Sequence, residues 1–600
     1  MVSLFGFPHS GAMRGDRAKL LVLLLLYVLT AALCYRAFSL SDPLFFSPTV
    51  DEETNLWVAN QLLRGSLPPQ AFWQEPVTFA YYALLLALGV SAPAAIKFFH
   101  LFVLGPVILL LLYLLARSIK PRLAIPAAAI YALSPLALFM SLSLMKTPPA
   151  ILLVLLMLCA FRRFYAQPRK IGRGLLFALS WLLSWGITQH VLLFLPPLFA
   201  AVARRCEGRS QAGRRNLLVA AVVTLAGVVT ALSLASLVRH SPLLTLTGNG
   251  KMNFILANSR NVAKTMAIWP GPEWQYFSNL LEYGAVPSRE SQISASLPGT
   301  FRGWLSLAAK KVFWEFTPHA YFRQSSWEKA CAIFPPLRVH SLFTLILLLM
   351  VFQVTLAWRS RGVMVRSLIA CWWLYHAVNI VFIPGIARYN AVILPLTAIL
   401  ALEGLRTLAW RPRQLALLPC LCLWLSQPPN GFQREYAKYM ELSHALATGM
   451  MIADVPLPEG TLHAADHRQL RAAWLLDRRR CAEAETLLKQ TPDWNYHGLA
   501  YCRLIASSQA RQCLYFDALD TAVRCVNWPE AEYSLYVIPA IERMDKMLAA
   551  YHARRRLTPG KLAAIATFAV SLRGRYSDRA ALERAIFALR AWGVQPQEPR

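Results

Sequence analysis

Asp51, Glu52 and Glu53 are three consecutive carboxylates in a 600-residue chain whose formal net charge is +30. Carboxylates so placed can accept a proton from an attacking hydroxyl, ligate a divalent cation, or simply open a helix. The last role is provided for locally. Thr49 and Glu52 have the spacing of a capping box, and Leu56, Ala59, Leu62 and Leu63 supply an apolar stripe that stops at Gly65. Capping accounts for Glu52 but leaves Asp51 unexplained, so Asp51 is the stronger candidate for chemistry. Should a cation sit there, carboxylate ligands favour Mg²⁺, Mn²⁺ or Ca²⁺, although nothing in the spacing demands one.

Cations that could serve beside these carboxylates are Lys97, Lys146, Arg260, Lys264 and Arg388. A planar guanidinium binds two phosphate oxygens at once, which makes arginine the better ligand for a phosphodiester. Each of these residues also has a plainer reading, as a side chain snorkelling to a membrane interface. His190, His319 and His376 are isolated in sequence, and a buried, hydrogen-bonded histidine is the commoner use of such a residue. No Cys-x-x-Cys spacing marks a zinc site.

These residues must be positioned by a membrane scaffold. With 56% hydrophobic and 15% charged residues, the chain is too apolar for an ordinary soluble protein. Eleven spans are expected, near 19–39, 95–116, 123–142, 148–165, 174–188, 189–203, 216–238, 340–358, 364–383, 389–405 and 413–426. With that count, every basic cluster falls on one side together with the N-terminus: 117–122, 162–173, 204–215, 359–366 and 406–413. The positive-inside rule then makes that side cytoplasmic. The same distribution sets aside nucleic-acid binding, since the charge follows short loops and no groove-reading module accompanies it. The first apolar segment continues beyond residue 33 without a small-residue cleavage site, which fits an uncleaved signal anchor.

The opposite side receives outer loops at about 40–94 and 239–339, and a soluble helical domain over 427–600, leaving 1–426 as the membrane domain. A short apolar helix over 79–88 is expected to lie at the membrane surface. In the tail, Ala484 and Ala518, and Trp494 and Trp528, are 34 residues apart, the period of tetratricopeptide-like helix pairs; an unrelated helical bundle is the alternative. Such a domain is a surface for a periplasmic protein partner. Cys481, Cys502, Cys513 and Cys525 permit two disulfides in an oxidising compartment.

Together, Asp51-Glu52-Glu53-Thr54-Asn55-Leu56, Trp73-x-Glu75-Pro76, Lys97 at a span start and Arg388-Tyr389 before Leu394-Pro395 resemble the GT-C glycosyltransferases. The likeness is to the branch of protein O-mannosyltransferases and lipid A aminoarabinose transferases, and it covers about residues 15–410. The resemblance implies an all-α polytopic fold in a bacterial inner membrane, and transfer of a sugar from a polyprenyl-phosphate donor to a cell-envelope acceptor on the periplasmic face. It implies Asp51 and Glu52 as catalytic carboxylates, with Asp51 also the residue for a metal. It implies Arg388, Lys97, Arg260 and Lys264 as donor-phosphate ligands, and Glu75, Tyr389 and Asn258 as substrate contacts. The chain departs from the family at 74–77, where Gln74-Glu75-Pro76-Val77 replaces a basic residue and two prolines.

The alternative is a transporter or flippase of lipid-linked saccharides, or a saccharide polymerase or ligase. Transporters place ionisable groups near the bilayer midplane, whereas here the carboxylates gather in the first outer loop.

Overall fold

A computed structural model of the chain describes residues 13–41, 43–46, 50–72, 75–207, 211–239, 246–247, 254, 257–258, 297–316, 327–382 and 387–406, and in the C-terminal part 475, 480–489, 583 and 586. Regular structure among the described residues is entirely helical. In chain order the helices are α1 (Met13–Ser41), α2 (Val50–Leu63), α3 (Pro76–Ala87), α4 (Pro93–Phe99), α5 (Gly105–Ile119), α6 (Ala124–Ala132), α7 (Pro135–Ser141), α8 (Thr147–Ala166), α9 (Ile171–Ile187), α10 (Leu195–Cys206) and α11 (Gln211–Arg239). They continue with α12 (Phe301–Glu315), α13 (Trp327–Ile333), α14 (His340–Leu356), α15 (Val363–Phe382), α16 (Ala387–Val392), α17 (Leu394–Leu405) and α18 (Cys481–Lys489).

Six of the described helical segments are long and apolar enough to cross a bilayer: Asp16–Ser41, Pro93–Ile119, Thr147–Ala166, Gln211–Val238, Pro335–Leu356 and Val363–Phe382. Several of them carry bare hydrocarbon on their outward faces. On α11, Leu218, Leu225 and Leu237 are all at least 65% exposed, a surface that only lipid can cover at low cost.

Where the sequence predicts a straight span over 123–142, α6 and α7 meet at a 55° bend. Ser134 caps the second piece by accepting the amide of Ala137 at 3.2 Å, and Pro135 follows at the first helical position, where its missing N–H costs nothing. The stretches expected over 174–188 and 389–405 contain the shorter apolar helices α9 and α17, and 413–426 lies outside the described residues. Segment 171–206 is not one continuous helix. The Trp181 indole donates to the Val191 carbonyl at 3.0 Å, a return across ten residues that a straight helix would hold about 15 Å apart.

The basic loops converge on one end of the bundle. Lys120, Arg361 and Arg406, from three different loops, meet the carboxylate of Glu403 at 2.6, 3.6 and 3.8 Å. Arg162 donates to the Ser118 carbonyl at 2.7 Å, Arg205 lies over the Tyr165 ring, and Asn216 bonds the carbonyls of Pro168 and Arg169. Because α8 carries Arg162 and Arg163 in its last turns, its N-terminus at Thr147 points to the other end, about 30 Å away.

Chain contacts divide the protein into two compact units, residues 1–267 with 286–437, and 268–285 with 438–600. In the second unit, α18 buries Cys481 and Ala484, and Arg480 pairs with Glu483 beside them. Trp494, Ala518, Trp528, Cys502, Cys513 and Cys525, on which the repeat and the disulfides depend, lie outside the described residues.

Candidate functional site

The site forms at the bundle end away from the basic loops. It begins with α2, whose buried face is partly polar: Glu52, Asn55, Val58 and Ala59 point inward while Leu63 is half exposed. The apolar stripe expected from the sequence is therefore rotated. Beside a membrane the polar face seeks protein and an apolar residue such as Leu63 can face lipid. Gly65 ends the helix as expected, with φ 76° and a pair of bonds, Gly65 N–H to Leu62 and Ser66 N–H to Gln61, that define a Schellman stop.

The inward polar groups of α2 and its neighbours grip one non-helical segment, residues 142–146. Glu52 accepts the amide of Leu144 at 2.8 Å, and Asn55 donates to the Leu144 carbonyl at 2.9 Å. Tyr82 donates to the Met145 carbonyl at 3.0 Å, and His100 Nδ1 lies 3.1 Å from the Ser143 carbonyl. Buried main-chain groups outside a helix need such partners, and here three elements supply them. His100 stands on a π-turn, His100–Leu104, just ahead of Pro106, which has no N–H to offer the helix ladder. The effect is to fix the start of α8 and with it Lys146.

Lys146 then forms an ion pair with Glu75, which immediately precedes α3. Its ammonium also lies 5.1 Å from the centre of the Tyr389 ring. Tyr389 packs edge-on against His190 at 5.4 Å, and His190 against Tyr375 at 5.0 Å. The Tyr375 hydroxyl donates to the Tyr389 carbonyl at 2.8 Å, so the aromatic wall is pinned to the main chain. A carboxylate, an ammonium, a histidine and two tyrosines from five separate stretches of sequence thus meet in one place.

Beyond this wall lies a second polar group. Glu315, fully buried at the end of α12, meets His376 Nδ1 at 2.6 Å and accepts from Asn379 at 2.8 Å. One turn earlier, Lys311 donates to Asn258 Oδ1 and to the Val381 carbonyl, each at 2.9 Å. Both partners are neutral, and burial pulls the Lys311 ammonium down to about 8.

Of the residues expected from the sequence, Glu75 and Tyr389 are brought together through Lys146, and Glu52 supports the segment that presents it. Lys97 lies elsewhere, donating to the Phe45 carbonyl at 2.6 Å with its charge 4.6 Å from the Phe45 ring centre. Asn258 belongs to the Lys311 group. The side chains of Asp51 and Arg388, and residues Arg260, Lys264, Thr49 and His319, lie outside the described residues. Among the described residues no group of three His, Cys, Asp or Glu side chains could hold a metal ion.

Asn55 belongs to the motif singled out in the sequence, whereas Tyr82, His100, Lys311, Glu315 and Asn379 were not expected from it. A signal existed for the last, since His376 and Asn379 are one turn apart within a span, where polar side chains are costly and seek partners. Comparison with protein-family models, curated proteins and solved structures returns no match.

Proposed function

We propose that this chain is an integral-membrane glycosyltransferase of the GT-C kind, moving a sugar from a polyprenyl-phosphate donor to a cell-envelope acceptor. The observation that supports this reading is the meeting of Glu75, Lys146, Tyr389 and His190 at the bundle end opposite the basic loops. A site at that end lies where a lipid-linked sugar would present its phosphate, and the aromatic wall suits a sugar ring.

In the reaction, an acceptor hydroxyl attacks the anomeric carbon and the bond from that carbon to the phosphate oxygen breaks. The phosphate leaves with the electron pair, so no general acid is needed on its side. Asp51 takes the hydroxyl proton. Lys146 and Arg388 hold the developing phosphate charge, Lys146 by exchanging Glu75 for a phosphate oxygen. The reading carries with it eleven spans, a cytoplasmic N-terminus and a periplasmic helical domain, in the inner membrane of a bacterium.

The test is to incubate membranes containing the chain with radiolabelled polyprenyl-phosphate sugars and follow the label. Label passing to a lipid, protein or polysaccharide, and not doing so with Asp51→Asn, supports transfer. The buried Glu315–His376–Asn379 group favours a second reading, a transporter of lipid-linked saccharides, because ionisable side chains within a bundle often line a transport path. Label that crosses sealed vesicles while remaining on its donor would select that reading.

A further inference from the structure

We propose that α12 is seated in the membrane at the end opposite the basic loops, with Phe301, Leu305 and Val312 against the acyl chains of phospholipids in that leaflet. At about 3.6 residues per turn, the side chains of α12 fall into three lengthwise sectors. Leu307, Lys311 and Glu315 form one, buried against the rest of the protein. Phe301, Leu305 and Val312 form the next, exposed at 83%, 61% and 43%. Arg302, Ser306 and Lys310 form the third and are exposed as well. A helix on a water-facing surface needs only a buried face and a polar one. A helix that borders protein, lipid and headgroups needs three, and a basic stripe beside an aromatic and aliphatic one is the composition of interfacial helices.

The attachment of α12 to α15 sets its depth. Val363 of α15 follows the basic loop that carries Arg361, so Phe382 lies at the opposite end of that span. The helix between them is 20 residues long, about 30 Å, which matches the hydrocarbon core of a bilayer. Lys311 meets α15 near its outer end, at the Val381 carbonyl. One turn on, Glu315 meets His376 and Asn379, and Phe316 stacks on Trp372 with ring centres 5.8 Å apart. Trp372 stands about 15 Å inside the Phe382 end, so α12 descends toward the bilayer centre as it runs. The exposed side chains of its last turns then lie below the headgroups, where hydrocarbon is the cover a bilayer offers. Residue types follow that descent. The basic stripe stops at Lys310, and in the last turn Phe313 takes its sector, 43% exposed. Val381, equally exposed on α15, adjoins the Lys311 contact, so apolar outer surface continues from the span onto α12. This contact with lipid is separate from the Glu75–Lys146 pair and does not depend on the reaction proposed there.

The experiment places the photoreactive residue benzoylphenylalanine at Leu305, Ser306 or Val312 of the full chain, in bilayers of phosphatidylethanolamine and phosphatidylglycerol. After irradiation, mass spectrometry of the α12 peptides identifies what each position has captured. Positions 305 and 312 should carry phospholipid adducts several-fold more often than position 306, which lies in the basic sector. Adducts at 305 and 312 to protein, whether a second copy or another segment of this chain, overturn the proposal, because that protein would then be what covers the face. Equal lipid capture at all three positions also overturns it, since the helix would have no lipid-facing side. A second measurement needs no substitution and decides the matter should a variant fail to fold. The wild-type chain in the same bilayers is irradiated with a carbene-generating probe that partitions into the acyl-chain region. The α12 peptides containing Leu305 and Val312 should be labelled as heavily as the exposed face of α11, and unlabelled α12 peptides beside a labelled α11 overturn the proposal.

Discussion

Glu52 accepts the main-chain amide of Leu144 at 2.8 Å, a bond between residues 92 positions apart. It ties the acidic turn of α2 to the segment that carries Lys146, so this carboxylate acts on the site through the backbone. Glu52→Gln keeps an acceptor oxygen in place, and melting temperature and transfer should stay close to wild type. Glu52→Ala leaves the Leu144 N–H buried without that partner, at a cost of about 1–3 kcal/mol. Transfer should fall with it as Lys146 loses its fixed position. Thermal unfolding in detergent, read beside label transfer, checks both variants. A stable Glu52→Gln chain with no transfer would show that the charge itself takes part.

The Lys146–Glu75 pair allows stability and function to be separated. Its side chains are only 10% and 12% exposed, between the surface case, worth about 1 kcal/mol or less, and the buried case, where removing one partner costs about 3–5 kcal/mol. Lys146→Met or Glu75→Leu alone should therefore cost about 2–3 kcal/mol. The combined substitution should recover most of that loss, because neither charge is then stranded. Transfer should remain absent in Lys146→Met and in the double variant. Normal transfer by a folded Lys146→Met chain would remove the ammonium from the mechanism.

Much of this arrangement was legible in the sequence, and the illegible part has a physical cause. Apolar runs and basic loops mark the bundle and its basic end because the bilayer imposes both over twenty-residue stretches. Gly65 announces its turn because few other residues take a positive φ cheaply. The grip on residues 142–146 could not be read that way. It joins Glu52, Asn55, Tyr82 and His100 to main-chain atoms, and a backbone carbonyl has no residue type to betray it. Capping explained Glu52 well enough locally that its long-range bond left no residue unaccounted for. Lys311 and Glu315 were hidden for a different reason: they lie on a helix outside the spans, where charged residues ordinarily need no partner.

Helix packing near the basic end rests on a missing side chain. A methyl group on Gly404 of α17 would overlap the Met350 carbonyl oxygen on α14. Backbone cannot swing aside as a side chain can, so Gly404→Ala should force the two helices apart and cost about 1–3 kcal/mol. Gly172, in the first turn of α9, has nothing within 4 Å of the same added group. Gly172→Ala should be neutral or stabilise by up to about 1 kcal/mol. Melting temperatures of the two variants in the same detergent make the comparison. Equal effects would mean that the α14–α17 contact tolerates separation.

Lys311 makes stability depend on alkaline pH in a defined sense. Its ammonium, ordinarily near 10.5, is drawn down to about 8 by burial against two neutral acceptors. Between those values the unfolded chain holds a proton that the folded chain has released. Stability therefore rises with pH across that window, by about 1.4 kcal/mol per pH unit at most. Below about 8 both states are protonated and the penalty of burying the charge is present in full. Lys311→Met removes the group, and its stability should lack this rise while sharing every other titration in the chain. Denaturation of both chains from pH 7.5 to 10.5 should show a wild-type-minus-variant difference that grows with pH, reaching on the order of 3 kcal/mol at the top. Parallel curves would mean that Lys311 keeps its proton on folding, and that water reaches the ammonium between α12 and α15.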